Sequence, residues 1–188
     1  KLSDSDIPLL LHGRTDSKRL SLLAENLKAP KFAADLTNSE EAEAFVSTVS
    51  KKQDGLSGIV FCAAQPFPHK LTLRTDWSVF QEQFDGQLKS LHTLLQAFKP
   101  VLENRPDGAH VIILSTEYVL GSPPIKIAPY LAAKAALTAY SQVIAQELLK
   151  AGIRVHILAP GMVKSALTAD MPDEYLDMIA ADMPEKKL

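Results

Sequence analysis

Tyr130 and Lys134 are the residues of this chain whose types and spacing point most directly to chemistry. At positions i and i+4 of a helix they share one face, so a phenol and an ammonium can reach the same small volume. An ammonium beside a phenol favours the phenolate. Lys134 is therefore expected to lower the Tyr130 pKa and to fit that phenol for proton exchange with a carbonyl or alcohol oxygen near neutral pH. The strand that precedes them ends in two hydroxyl residues, Ser115 and Thr116, either of which could hold the oxygen by a hydrogen bond.

The pair must be positioned by the segments around it. Ala109 to Leu114 reads as an apolar strand, Tyr130 to Lys150 as a helix, and Ile153 to Leu158 as a second apolar strand followed by Pro160-Gly161. Short apolar strands beginning at Ile7, Lys31, Gly58, Ala109 and Ile153 alternate with helical stretches, the pattern of an α/β fold. Right-handed crossovers would collect the strand ends on one side, where Ser115, Pro160 and the start of the Tyr130 helix meet. The first strand is read over Ile7 to Leu11, with a helix near Ser17 to Asn26 after it. NSEEAEAFVSTVSKK carries a capping pattern, acids in its first turn and lysines in its last. GIVFCAA is a near-continuous apolar run, as a strand buried on both faces of a parallel sheet should be. After a proline-rich loop, Val79 to Leu102 reads as one long helix, with Phe84, Leu88, Leu91, Leu95 and Phe98 at helical spacing.

The 188 residues are 46% apolar and 22% charged with a net charge of −2, which fits one domain over residues 1–188. That balance gives no global field for nucleic acid or an anionic membrane. No apolar run approaches spanning length, and the five histidines lack ligand spacing, so no metal site is assigned. Cys62 has no partner for an internal disulfide and reads as a buried thiol in a reducing cytoplasm.

Taken together, the hydroxyl-ended strand, Tyr130-x-x-x-Lys134, the following strand and Pro160-Gly161 resemble the short-chain dehydrogenase/reductase family. The resemblance implies a Rossmann-like, doubly wound parallel sheet with helices on both faces. Its glycine-rich phosphate turn matches nothing here, since all eight glycines are isolated. A further strand, preceding the one at Ile7, and that turn are expected upstream of Lys1. The family's catalytic serine falls on Ser115 or Thr116. Family spacing of thirteen residues before the tyrosine lands on Glu117, so a longer loop is inferred; spacing to Gly121 then favours Ser115, the hydroxyl doublet favours Thr116, and Ser115 is preferred. The family's catalytic Asn, in the context Asn-aliphatic-x-small, corresponds to Gln87 in Gln87-Leu88-Lys89-Ser90. Gln carries the same amide one methylene further out, so the proton relay through it is re-routed or weakened.

The same resemblance implies a nicotinamide cofactor. Tyr130 and Lys134 would contact its ribose, and Pro160, Gly161, Val163 and Ser165 the nicotinamide end. Asp35 and Leu36 would lie beside the adenine, although Asp35 also reads as a cap of the next helix. Ala63, in the Cys62-Ala63-Ala64 run that replaces Asn-Ala-Gly, allows close approach of a ribose. No acid ends the first strand and Arg14 follows it, which points to NADPH, because an arginine there accommodates the 2′-phosphate. The implied activity is reduction of a small-molecule ketone, with a 3-oxoacyl thioester on a carrier protein or CoA as the leading subtype. Met162, Leu167, Met171, Tyr175 and Met178 would line an apolar lid. An alanine-rich Tyr130 helix implies a homodimer or homotetramer, and no nucleic-acid or membrane partner is expected. The alternative is a degenerate relative that keeps the fold as an oligomeric scaffold or metabolite-binding module.

Overall fold

The computed structural model describes residues 7–52, 56–103, 105–163, 165, 168, 171–183 and 186–187. Its strands form two parallel sheets. In the first, β1 (Leu11–Gly13) pairs with β2 (Lys31–Ala33), Leu11 opposite Lys31 and Gly13 opposite Ala33. In the second, β3 (Gly58–Phe61), β4 (Ala109–Leu114) and β5 (Ile153–Leu158) lie in that order, with Val60 opposite Ile112 and Ile112 opposite His156. Every strand pair is parallel, so helices must make the crossovers, as the alternating sequence pattern requires. The α/β architecture read from the sequence is present and is Rossmann-like. Among the described residues, neither β1 on its side away from β2 nor β3 on its side away from β4 carries a neighbouring strand.

The crossovers are α1 (Lys18–Leu27), α2 (Ser39–Lys52), α3 (Trp77–Phe84) continuing into α4 (Ser90–Leu102), and α5 (Ala128–Leu149). α6 (Asp173–Asp182) follows β5. Ser17 caps α1, its hydroxyl accepting from the Leu20 amide at 3.2 Å, which satisfies one of the orphan donors at the helix start. The core lies between the second sheet and the helices. Val111 and Ile113 of β4 and Ile153 of β5 are fully buried with Leu91 and Phe98 of α4 and Leu137 of α5. Phe45 of α2 ties the two sheets together. Its ring lies 4.7 Å from His12 of β1, 5.9 Å from Phe32 of β2 and 5.9 Å from Phe98 of α4.

Four expectations change in detail. The first strand begins at Leu11 rather than Ile7, because Pro8 has no N–H to donate and only from Leu11 onward does the chain face β2. The long helix is not continuous: residues Asp85–Lys89 form a π-helical turn between α3 and α4. Cys62 is exposed rather than buried, because Phe61 points into the core and side chains alternate along a strand. The apolar lid is only partly present. Among the described side chains of α6 Leu176 is buried and Met178 is 56% exposed, while Leu167 and the side chain of Tyr175 lie outside the described residues.

Gly108 and Gly152, at the entries to β4 and β5, have φ of +76° and +74°. There the two chains approach so closely that a Cβ on Gly108 would lie 2.8 Å from the Gly152 carbonyl oxygen. Only glycine accepts both the left-handed backbone and that contact, and the pair sets the register in which β4 and β5 carry Ser115 and Pro160 to the same level.

Candidate active site

Tyr130 lies in the first turn of α5, which Pro129 opens, and Lys134 follows one turn on. The Lys134 side chain is almost wholly buried, with 3% of its surface exposed, and Nζ donates to the Leu114 carbonyl oxygen at 2.6 Å. Nζ stands 5.8 Å from the centre of the Tyr130 ring. Helical spacing therefore does bring the two side chains together. The electrostatic consequence differs from the expectation. Burial pushes the Tyr130 phenol up, opposed by a hydrogen bond with the Thr116 side chain, so the pKa is raised and not lowered. Burial also brings Lys134 down to about 8, opposed weakly by the neighbouring Cys62 thiol. Desolvation is the largest cause of both shifts.

The depressed lysine has a consequence for stability. Between the folded value of about 8 and the ordinary lysine value of 10.5, the unfolded chain holds a proton that the folded chain has lost, so stability rises with pH through that window. Below pH 8 both states are protonated and the full penalty of a buried ammonium is felt, on the order of 3 kcal/mol. Above pH 10 the raised Tyr130 works in the opposite direction. Urea unfolding of the unliganded protein should therefore show stability climbing from pH 8 to pH 10, and Lys134→Met should remove that climb. An unchanged slope in the variant would contradict the burial of the charge.

Ser115 and Thr116 are both buried, at 5% exposure each, but they face different neighbours. Ser115 continues the parity of Val111 and Ile113, the core side of β4, and its hydroxyl is bonded to the Thr138 hydroxyl on α5 at 2.6 Å. Thr116, one residue on, turns to the Tyr130 hydroxyl. Of the two hydroxyls, that of Thr116 acts on the Tyr130 pKa, while that of Ser115 is taken up by Thr138.

Gln87 is fully buried in the π-helical turn, its Nε2 donating to Gln83 Oε1 at 2.8 Å. Its own Oε1 is buried with no partner among the described residues. It contacts neither Tyr130 nor Lys134 in any hydrogen bond found there. Gln83 Nε2 in turn donates to the Gln65 carbonyl at 3.1 Å.

At the other end of the strand edge, Arg14 Nε donates to Asp35 Oδ2 at 2.8 Å and Nη1 to Gln65 Oε1 at 2.9 Å. Burial works to raise the Asp35 pKa, but the Thr37 amide and hydroxyl and the Arg14 guanidinium outweigh it and hold the carboxyl below its usual range. Asp35 accepts from the Thr37 amide at 2.9 Å in a turn, while the cap of α2 that the sequence offered to Asp35 is supplied by Asn38, whose Oδ1 accepts from the Glu40 amide at 3.0 Å. Leu36 is buried beneath it and Ala63 is half-buried at the end of β3. Pro160, Gly161 and Val163 follow β5, and Pro160 accepts from the Glu117 amide at 3.1 Å, which draws the two strand ends together. The Ser165 amide donates to the Thr168 hydroxyl at 2.9 Å.

Sequence reasoning missed three participants. Phe67, from the proline-rich loop, stacks on Tyr130 with ring centres 5.5 Å apart, and Gln65 and Gln83 sit in no motif.

The residues fit a nicotinamide dinucleotide. Lys134 spends one of its three N–H donors on Leu114 and keeps two for ribose hydroxyls. Arg14, 56% exposed, keeps three of five donors among the described contacts. Gly161 leaves room where a Cβ would press within 3.2 Å of the Glu117 carboxylate. Among the described residues there is no cluster of three or more potential metal ligands, and no helix long and apolar enough to cross a membrane.

A family model described as enoyl-(acyl carrier protein) reductase matches residues 3–188. An uncharacterized oxidoreductase of Staphylococcus epidermidis is 32% identical over 173 residues, covering 89% of this chain and 72% of that protein. The 3-oxoacyl-[acyl-carrier-protein] reductase FabG of Rickettsia bellii is 30% identical over 174 residues, 91% of this chain and 69% of its own. The crystal structure of the enoyl-[acyl-carrier-protein] reductase (NADH) from Aquifex aeolicus matches with a TM-score of 0.84 at 20% identity, over 96% of this chain and 72% of that one, a likeness of fold.

Proposed function

This chain belongs to the short-chain dehydrogenase/reductase family, a family of nicotinamide-dependent oxidoreductases, and from that premise we propose that it reduces a ketone to an alcohol with NADPH. The observation that carries the proposal is the convergence of the Thr116 hydroxyl and the Tyr130 phenol, with buried Lys134 one helical turn away. When bound, the cofactor supplies the hydride. Thr116 holds the carbonyl oxygen, and Tyr130, kept protonated by burial, donates the proton to that oxygen as charge develops on it. Lys134 orients the cofactor ribose with its spare donors and offsets the negative charge left on Tyr130. Gln87 acts at a distance, through Gln83, by holding the π-helical turn. Ser115 braces β4 against α5.

NADPH is proposed over NADH because Arg14 presents its free donors at the end of β1. A 3-oxoacyl thioester on a carrier protein or CoA is the proposed substrate class, supported by the named relative that reduces one. Self-association through α4 and α5, in a cytoplasmic setting, belongs to the same proposal, supported by Val143 and Leu149 exposed on α5. The test is steady-state turnover of 3-oxoacyl thioesters and simple ketones with each cofactor. The expected result is NADPH consumption, with kcat/KM for the thioesters at least about tenfold above simple ketones, roughly 1.4 kcal/mol of extra transition-state binding. Consumption of neither cofactor with any carbonyl would overturn the reading and leave the scaffold alternative.

A further inference from the structure

The polar groups between Arg14 and the π-helical turn form a connected chain of hydrogen bonds. Arg14 Nη1 donates to Gln65 Oε1 at 2.9 Å, while Nε is taken by Asp35 at 2.8 Å. Gln65 is held in turn from below. Its carboxamide lies where a side chain on residue 86 would stand, so that a Cβ on Gly86 would fall 2.2 Å from Gln65 Nε2 and 2.9 Å from its Cδ. Its backbone carbonyl accepts from Gln83 Nε2 at 3.1 Å, and Gln83 Oε1 accepts from Gln87. Gln83, Gly86 and Gln87 all lie in or beside the π-helical turn, and both glutamines there are fully buried.

Two hydrogen bonds from different edges of one guanidinium fix the plane of that group. Asp35 alone, through Nε, would leave Arg14 free to swing about a single contact. With Gln65 as the second anchor, the remaining N–H donors are held in one direction. We infer that Gln65 is a positioning residue for cofactor selection: seated on Gly86, it orients Arg14 so that the free edge of the guanidinium receives the 2′-phosphate of NADPH. The inference rests on the reading of Arg14 as the partner of that phosphate. Gly86 acts by lacking a side chain, and the π-helical turn by placing Gly86 under the carboxamide.

The test is calorimetric titration of the full-length protein with NADPH and with NADH. Wild type is expected to bind NADPH more tightly. Gln65→Met, which keeps the length and loses the acceptor, should weaken NADPH by about tenfold, the scale of one hydrogen bond to a charged group, and leave NADH unchanged. Gly86→Ala displaces the same carboxamide from the other side and should have the same selective effect. Arg14→Ala should remove the preference, and adding Gln65→Met to it should change nothing further, because the two act through one contact. If Arg14→Ala removes the preference while Gln65→Met keeps it, the inference is overturned and the reading of Arg14 stands. If Gln65→Met weakens both cofactors equally, Gln65 is merely structural and the inference is again overturned. If wild type shows no preference, or Arg14→Ala leaves both affinities unchanged, the reading of Arg14 fails and the inference falls with it.

Discussion

Tyr130→Phe is expected to lower kcat by ~10³-fold, within the range a positioned general acid supplies, with NADPH affinity nearly unchanged. The substitution removes one oxygen and leaves the ring, its stacking on Phe67 at 5.5 Å and the burial around it. Fold and cofactor binding should therefore survive while the proton donor is lost. The high phenol pKa strengthens the expectation, because the group is protonated throughout the neutral range and is ready to donate at the start of reduction. The reverse reaction, oxidation of the alcohol, needs the phenolate and should rise with pH. The check is turnover alongside a binding titration for both proteins. Retained turnover in Tyr130→Phe would remove Tyr130 from the chemistry.

Thr116→Ala is expected to lower kcat by ~10²-fold, the usual scale for one hydrogen-bond donor aimed at a developing oxyanion. Ser115→Ala should leave kcat nearly intact and instead cost about 1 kcal/mol of stability, because its hydroxyl serves Thr138 inside the fold. The two adjacent hydroxyls thus separate by readout: one substitution appears in turnover, the other in the urea midpoint. A pattern with the two exchanged would return the oxygen-holding role to Ser115, the residue favoured in the sequence.

The contrast between these neighbours shows what could be read in the sequence. β5 was legible to the residue, because Ile153, Val155 and Ile157 alternating with Arg154 and His156, and closed by Pro160, have few other readings. The helix over Ser39–Lys52 announced itself through its acids, Glu40 and Glu41, in the first turn. Tyr130 and Lys134 were found because spacing along a helix maps directly onto a shared face. Gln87 illustrates the limit. A motif located it, but its partners, Gln83 and then Gln65, are set by a π-helical turn that shifts the face each residue presents, and hydrophobic spacing alone read the segment as one helix. Cys62 shows a similar limit, since an apolar run does not say which alternate positions face the helices. The raised Tyr130 pKa depends on how much water the fold removes, a property of the packing that pairwise spacing does not contain.

The most direct measurement is deuterium transfer. The full-length protein is incubated with NADPH deuterated at the hydride-donating carbon of the nicotinamide and a 3-oxoacyl thioester, and the alcohol is analysed by mass spectrometry, with Tyr130→Phe in parallel. The expected result is one deuterium on the carbinol carbon with the wild-type protein and almost none over the same time with the variant. An alcohol without deuterium, or equal labelling by the two proteins, would contradict hydride transfer completed by a proton from Tyr130.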